Sequence, residues 1–261
     1  KQRMNTYLTI AHRHHIKTIF VIFDDCWHDD YLAGTQPPPT PGIHNSGWLK
    51  DPGNRIDTLP RLVDTLEQYV KDVMGHFKKD DRILMWDLYN EPGNFGHGDK
   101  TLPLLQKVFI WARETDPMQP LTVAVYDKNA IKFNDFQLSH SDIITYHSYD
   151  SLHIHQNAID TLLKYNRPVI CSEYMARKRM STFALILPIL KEHNIGAINW
   201  GLVAGKTNTI FAWEDKGTTN PEPPLWFHDI FRKDGTPYKT EETGLIRQLT
   251  GEERGKRSIK N

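Results

Sequence analysis

The chain has 261 residues, its 32 Lys and Arg are balanced by 32 Asp and Glu, and 39% of its residues are hydrophobic. That balance lacks the basic excess that nucleic-acid binding demands, and no apolar run approaches the roughly 18 residues of a membrane span. Neither a nucleic acid nor a membrane is an expected partner. The length suits one large domain, expected over residues 1–250 with 251–261 as a C-terminal tail.

Residues 4–16 carry Tyr7, Leu8, Ala11 and Ile16 at near-helical spacing and lead into 17–23 (KTIFVIF), a run that suits a strand buried on both faces. The alternation continues with helix 59–77, strand 83–89 (ILMWDLY), helix 102–115, strand 121–126 and helix 130–138. Strand 143–146, helix 154–165, strand 169–171, helix 183–193 and strand 197–200 (AINW) complete it. Leu62, Leu66, Tyr69, Val70 and Val73 form one apolar stripe, and Leu102, Leu105, Phe109 and Ala112 another. Strands alternating with helices predict an α/β fold with a parallel sheet, either doubly wound or closed into a barrel. No Gly-rich turn follows the first strand, which argues against a dinucleotide-binding fold.

Two stretches break the rhythm, 24–58 and 201–243, both rich in Pro, Gly and Trp. Loops this long inside a compact domain are usually functional or disordered, and the aromatic residues predict order. Cys26 and Cys171 form no metal-ligand spacing, His12, His14, His15, His153 and His155 read as solvated, and neither a metal nor a cofactor is expected. Gly201 to Thr207 (GLVAGKT) only imitates a phosphate loop, since three residues rather than four separate its glycines.

Polar residues appear where each strand stops. Asp24 and Asp25 follow the first, Asn90 and Glu91 the second and Asp127 the third; His147 and Tyr149 follow the fourth, Glu173 the fifth, and Trp200 closes the sixth. In a parallel barrel these ends share the face that carries the active site, so Glu91 and Glu173 are expected to converge. Singly, a glutamate at a strand end more often caps a helix or pairs with a surface cation. A convergent pair, one protonated and one ionised, can protonate a leaving oxygen and attack an anomeric carbon, which is glycoside hydrolysis. Trp27, Trp48, Trp200, Trp213 and Trp226 are candidate walls on which sugar C–H faces would stack, whereas Trp86 and Trp111 fall inside regular elements and read as core.

The segment ILMWDLYNEPGN, residues 83–94, resembles the fourth-strand signature of clan A glycoside hydrolases, family 5 in particular. The resemblance implies that Glu91 is the general acid/base and that Asn90 binds the sugar 2-hydroxyl. TYHSY is similar to the sixth-strand motif, making His147 and Tyr149 site residues with the tyrosine on the nucleophile; VICSEYM implies Glu173 as that nucleophile, and INWG implies Trp200 as the platform under the sugar. One of Asp24 and Asp25 is expected to contact a sugar hydroxyl, with Trp27, Trp48 and Trp213 as further substrate contacts.

The implied fold is a TIM (β/α)8 barrel of which strands 3 to 8 are represented. Strands 1 and 2 are expected to be missing, with the second-strand arginine that supports the nucleophile. The missing part would come from an N-terminal segment or a second chain. The implied activity is retaining hydrolysis of a β-mannoside, β-glucan or xylan; the alternative is a catalytically impaired carbohydrate-binding barrel. An extracytoplasmic location is expected, although the N-terminal residues carry no signal-peptide pattern.

Overall fold

In the computed structural model, residues 1–29, 34–35, 38–53 and 60–251 are described. The expected tail lies outside them apart from Gly251, as does part of the first long loop. The chain forms two compact units, one of Lys1–Leu32 with Leu49–Thr145, the other of Ala33–Trp48 with Tyr146–Asn261. No helix among the described residues is long and apolar enough to cross a membrane.

In the first unit α1 (Gln2–Arg13) leads into β1 (Thr18–Asp24), followed by α2 (Pro60–Phe77), β2 (Ile83–Asn90), α3 (Leu102–Glu114), β3 (Leu121–Thr122) and α4 (Ile131–His140). The three strands form one parallel sheet in the order β1-β2-β3. The central strand, β2, is buried at every position except Leu84, which is why its sequence is an apolar run instead of an alternation. Leu66, Val70, Val73, Met74 and Phe77 of α2 join Leu104, Leu105, Val108 and Ala112 of α3 in the core that covers the sheet. Trp86 is fully buried, and its indole N–H donates to Gln119 Oε1 at 3.2 Å. The Gln119 amide in turn donates to the carbonyls of Phe77 (2.9 Å) and Asp80 (2.8 Å), tying the end of α2 to the core.

The strand expected over 121–126 contracts to two residues. Beyond Thr122 the backbone turns to other partners: Val123 N–H donates to Ser141 Oγ at 3.2 Å and Val125 N–H to Thr145 O at 2.9 Å.

The division between the units falls within β4 (Ile144–His147). In the second unit α5 (Leu152–Leu162), β5 (Val169–Glu173), α6 (Phe183–Glu192), β6 (Gly196–Ala197) and α7 (Thr240–Gly251) follow. The sheet order is β4-β5-β6, and β5 and β6 run parallel. Of the expected AINW strand only Ala197 pairs, together with the preceding Gly196, as β6, and both are exposed. A Cβ at Gly196 would meet the Ile170 side chain at 3.0 Å, so glycine permits the close approach there.

The second long loop is ordered, as its aromatic content predicted. Trp226 stacks on Tyr238 at 4.5 Å and is buried among Ala204, Ile210 and Phe211. Its place is therefore core, which corrects the expectation of a sugar-facing wall. Buried Arg177 fastens this loop to α7, donating to the carbonyls of Trp226 and Asp229 at 3.1 and 3.0 Å and pairing with Glu242 at 2.6 Å. Helix α7 escaped the sequence reading because Thr240, Thr243, Gly244 and Thr250 dilute its apolar spacing.

The expectation that His155 is solvated is corrected, whereas His153 is exposed. Both lie on α5; His155 is fully buried, with its Nε2 2.7 Å from the Tyr146 hydroxyl. Burial lowers the pKa of His155 and His44 to about 4, and that of His228 to about 3. The unfolded chain, with histidines near the ordinary 6.5, takes up protons first. The stability these three histidines contribute by being neutral is thus fully present above pH 6.5 and is lost as pH falls from there toward 4 and then 3. A melting temperature at least about 5 °C lower at pH 5 than at pH 7 is expected by calorimetry. An unchanged value would show that the three imidazoles are not buried neutral.

Candidate active site

The acidic half of the first unit is built by strand register. Asp24 is aligned with Asn90, so β1 and β2 end together and deliver Asp24, Asp25, Cys26, Asn90 and Glu91 to one edge. Asn90 Nδ2 donates to Asp24 Oδ1 at 3.2 Å, and the same oxygen accepts the Cys26 backbone N–H at 2.7 Å. Glu91 leaves the strand with φ +44°, a left-handed conformation that a non-glycine residue adopts only when its surroundings impose it. Its Oε2 accepts from Asn94 Nδ2 at 2.5 Å and lies 3.2 Å from Cys26 Sγ. Burial first, then the charge of Glu91, pushes the Tyr126 phenol well above its ordinary value, so it stays protonated and donates to Pro92 O at 3.3 Å.

The two aspartates are not equivalent. Asp25 is completely buried and accepts from the Tyr89 hydroxyl (2.8 Å), the Gly93 N–H (2.7 Å) and the Thr101 hydroxyl (2.7 Å), with His97 Nδ1 at 3.1 Å. Its oxygens are committed to organising the turn that carries Glu91, which corrects its assignment as a substrate contact. Asp24 remains the aspartate beside Asn90. Replacing Asp25 by alanine leaves three donors facing each other in a dry site and is expected to cost about 3 kcal/mol in urea unfolding. A loss below about 1 kcal/mol would show that water replaces the carboxylate. Trp27, at φ +76°, packs on Phe95 at 5.0 Å, with the Lys50 ammonium 5.6 Å from the Phe95 ring.

The second unit carries the other candidates. Glu173 ends β5, and the Tyr149 hydroxyl donates to its Oε2 at 2.6 Å, with His147 Nδ1 3.6 Å from the same oxygen. The Ser148 N–H donates to Glu173 O at 3.0 Å and fixes the chain between His147 and Tyr149 against the end of β5. Trp213 meets the Tyr149 ring edge-on at 5.0 Å and His228 packs on it at 5.3 Å, aiming the phenol at the carboxylate. His44 and His228, both neutral, are themselves fastened to the Phe211 and Met175 carbonyls at 2.7 and 2.6 Å. Trp48 and Trp200 meet edge-to-face at 5.3 Å, both half-buried.

Thus Asp24, Asn90 and Glu91 are brought together in one unit, and His147, Tyr149, Glu173 and Trp213 in the other. Trp27 and the Trp48–Trp200 pair form separate aromatic surfaces within their own units. Cys26, Asn94 and Tyr126 went unassigned in sequence; a position after a strand could have flagged Cys26 and Asn94, whereas Tyr126 fell inside the strand expected over 121–126. Both cysteines are buried, and neither is in a disulfide.

These carboxylates, each ending a parallel strand and each held by donors, occur in the stretch that decides the family: residues 21–205 match glycosyl hydrolase family 5, described as Cellulase. The chain belongs to glycosyl hydrolase family 5. Several solved structures share the fold of this family 5 chain. An endo-beta-1,4-mannanase from Thermotoga petrophila is 17% identical with a TM-score of 0.63, over 99% of this chain and 63% of that one. A beta-glucuronidase from Faecalibacterium prausnitzii is 14% identical with a TM-score of 0.59, over 95% and 41% respectively. A family 5 mannosidase from Rhizomucor miehei, in complex with mannosyl-fructose, is 12% identical with a TM-score of 0.57, over 95% and 76%. The chain therefore spans less than two thirds of the first two. No curated protein matches. At these identities the likeness shows the fold, an α/β arrangement with parallel strands as in family 5 TIM-barrel structures.

Proposed function

We propose that this family 5 chain is a retaining β-glycoside hydrolase acting on a β-linked oligo- or polysaccharide, with Glu173 as nucleophile and Glu91 as acid/base. The observation that carries the reading is the 2.6 Å hydrogen bond from Tyr149 to Glu173 at the end of β5. A donor on a carboxylate favours its ionised form, which is the form that attacks. In this reading β1 to β6 stand for strands 3 to 8 of the family barrel.

In the first step Glu91 gives its proton to the leaving oxygen while Glu173 attacks the anomeric carbon and the glycosidic bond breaks. In the second, Glu91, now ionised, takes a proton from water as the water oxygen displaces Glu173 from that carbon. Double displacement calls for carboxyl groups about 5–5.5 Å apart. Asn90 and Asp24 bind sugar hydroxyls, and Trp200 with Trp48, Trp27 and Trp213 supplies apolar faces. The mannanase and mannosidase among the similar structures make β-mannosides the first substrates to try, ahead of β-glucans and xylan.

The test is a panel of aryl β-glycosides, followed by incubation with the matching 2-deoxy-2-fluoro glycosyl fluoride. Release of the aryl group and an intact mass raised by one fluorosugar on Glu173 are expected. No turnover together with retained oligosaccharide binding would favour the carbohydrate-binding alternative.

A further inference from the structure

We propose that Cys26 is a positioning residue for Glu91, its thiol holding Oε2 so that the proton of the acid form is carried on Oε1. The inference rests on the acid/base reading of Glu91 given above. Its geometry lies within the first unit. Asn90 Nδ2 lies 3.4 Å from Cys26 Sγ, and Sγ lies 3.2 Å from Glu91 Oε2. An amide nitrogen can only donate and a carboxylate can only accept, so the sulfur accepts from Asn90 and its single hydrogen points to Glu91.

The chain Asn90 to Cys26 to Glu91 has one direction. The Cys26 backbone is anchored by Asp24, and the side chain is 5% exposed, so the thiol has little freedom to turn away. Asn94 donates to the same Oε2. A proton placed on that oxygen would displace one of the two donors, and the other oxygen is therefore favoured. A thiol suits the task because it is a weak donor. It fixes the orientation of a carboxyl whose backbone is in the left-handed region, yet favours the ionised form less than an N–H or O–H would, and the group can still carry a proton for the leaving oxygen.

Among the described residues of this unit, Asp24 and Asp25 at the end of β1 and Tyr126 and Asp127 after β3 are titratable neighbours of the Cys26–Glu91 pair. The mechanism proposed above adds Glu173, beside which His147 lies in the second unit. All are unaltered in the variants below, so a difference between variants reads Cys26 alone.

The experiment is a 13C NMR titration of the Glu91 carboxyl in the full chain, with the resonance assigned by its loss in Glu91→Gln. Loss of a donor to the charged form should raise the Glu91 midpoint by about half a pH unit or more in Cys26→Ala, and Cys26→Ser should move it back. The alkaline limb of kcat/KM should follow in the same order, whereas a purely structural cysteine would lower activity at every pH and leave the limb in place. The infrared S–H stretch of the unmodified chain needs no folded variant. The Cys26 band should fall in frequency as Glu91 ionises, and should not do so in Glu91→Gln. A midpoint and an S–H band that do not move, with turnover intact, overturn the inference and leave the function standing. A midpoint that moves while no glycoside is turned over overturns the function and leaves the control of Glu91 by Cys26 standing.

Discussion

Glu173→Ala is expected to lower kcat/KM on an aryl β-glycoside by at least about 10^4-fold, because the group removed is the one that bonds to the anomeric carbon and nothing else can carry the sugar through the first step. The fluorosugar adduct should vanish from the intact mass with it. The Tyr149 hydroxyl loses its acceptor, so part of the loss reflects a phenol free to turn. Glu173→Gln separates the effects, since it keeps an acceptor near Tyr149 but cannot attack. Azide should restore turnover in the alanine variant by entering the space left, giving the α-glycosyl azide by a single inversion. Turnover that survives Glu173→Ala without azide would remove this residue from its assigned role.

The second large effect is at Glu91, and its signature is a dependence on the leaving group. General acid catalysis contributes roughly 10^2–10^4-fold, so Glu91→Ala should lose about that much on a substrate with a poor leaving group such as an alkyl or oligosaccharide aglycone. A dinitrophenolate leaves without a proton. With that substrate the first step stays fast, and the second, which needs Glu91 as base toward water, becomes limiting. Both kcat and KM should then fall together, with a burst of phenolate equal to the enzyme present. Azide needs no base and should speed this variant too, this time giving the β-azide through two inversions. A loss of equal size on both kinds of substrate would contradict the acid/base assignment.

Much of this was legible in the sequence for one physical reason. A strand buried on both faces must be apolar along its length, so the first polar residues after it mark the strand end, as Asn90 and Glu91 do after ILMWDLY. Asp24 and Asp25 were marked in the same way by KTIFVIF. The strands at 121–126 and 197–200 were overestimated because β propensity says nothing about whether a partner continues beside the chain. Helix α7 was missed because its packing comes from elsewhere in the unit, through Arg177 and Glu242, and leaves only a faint periodic stripe of its own.

Residue order alone carried the alternation of strands and helices and marked Glu91 and Glu173 as strand-end residues, because burial and strand ends leave a local imprint on it. What separates neighbours of the same chemistry came from the folded chain. Asp25 became a buried hub because Tyr89, Gly93 and Thr101, drawn from β2 and the turns after it, all direct donors at it, with His97 beside them. Asp24 remained beside Asn90, Cys26 came to rest against Glu91, Trp226 turned into the core, and His155 closed on Tyr146. Hydrogen bonds and aromatic contacts between residues far apart in sequence set these outcomes, and no local pattern records which partner a folded chain will supply.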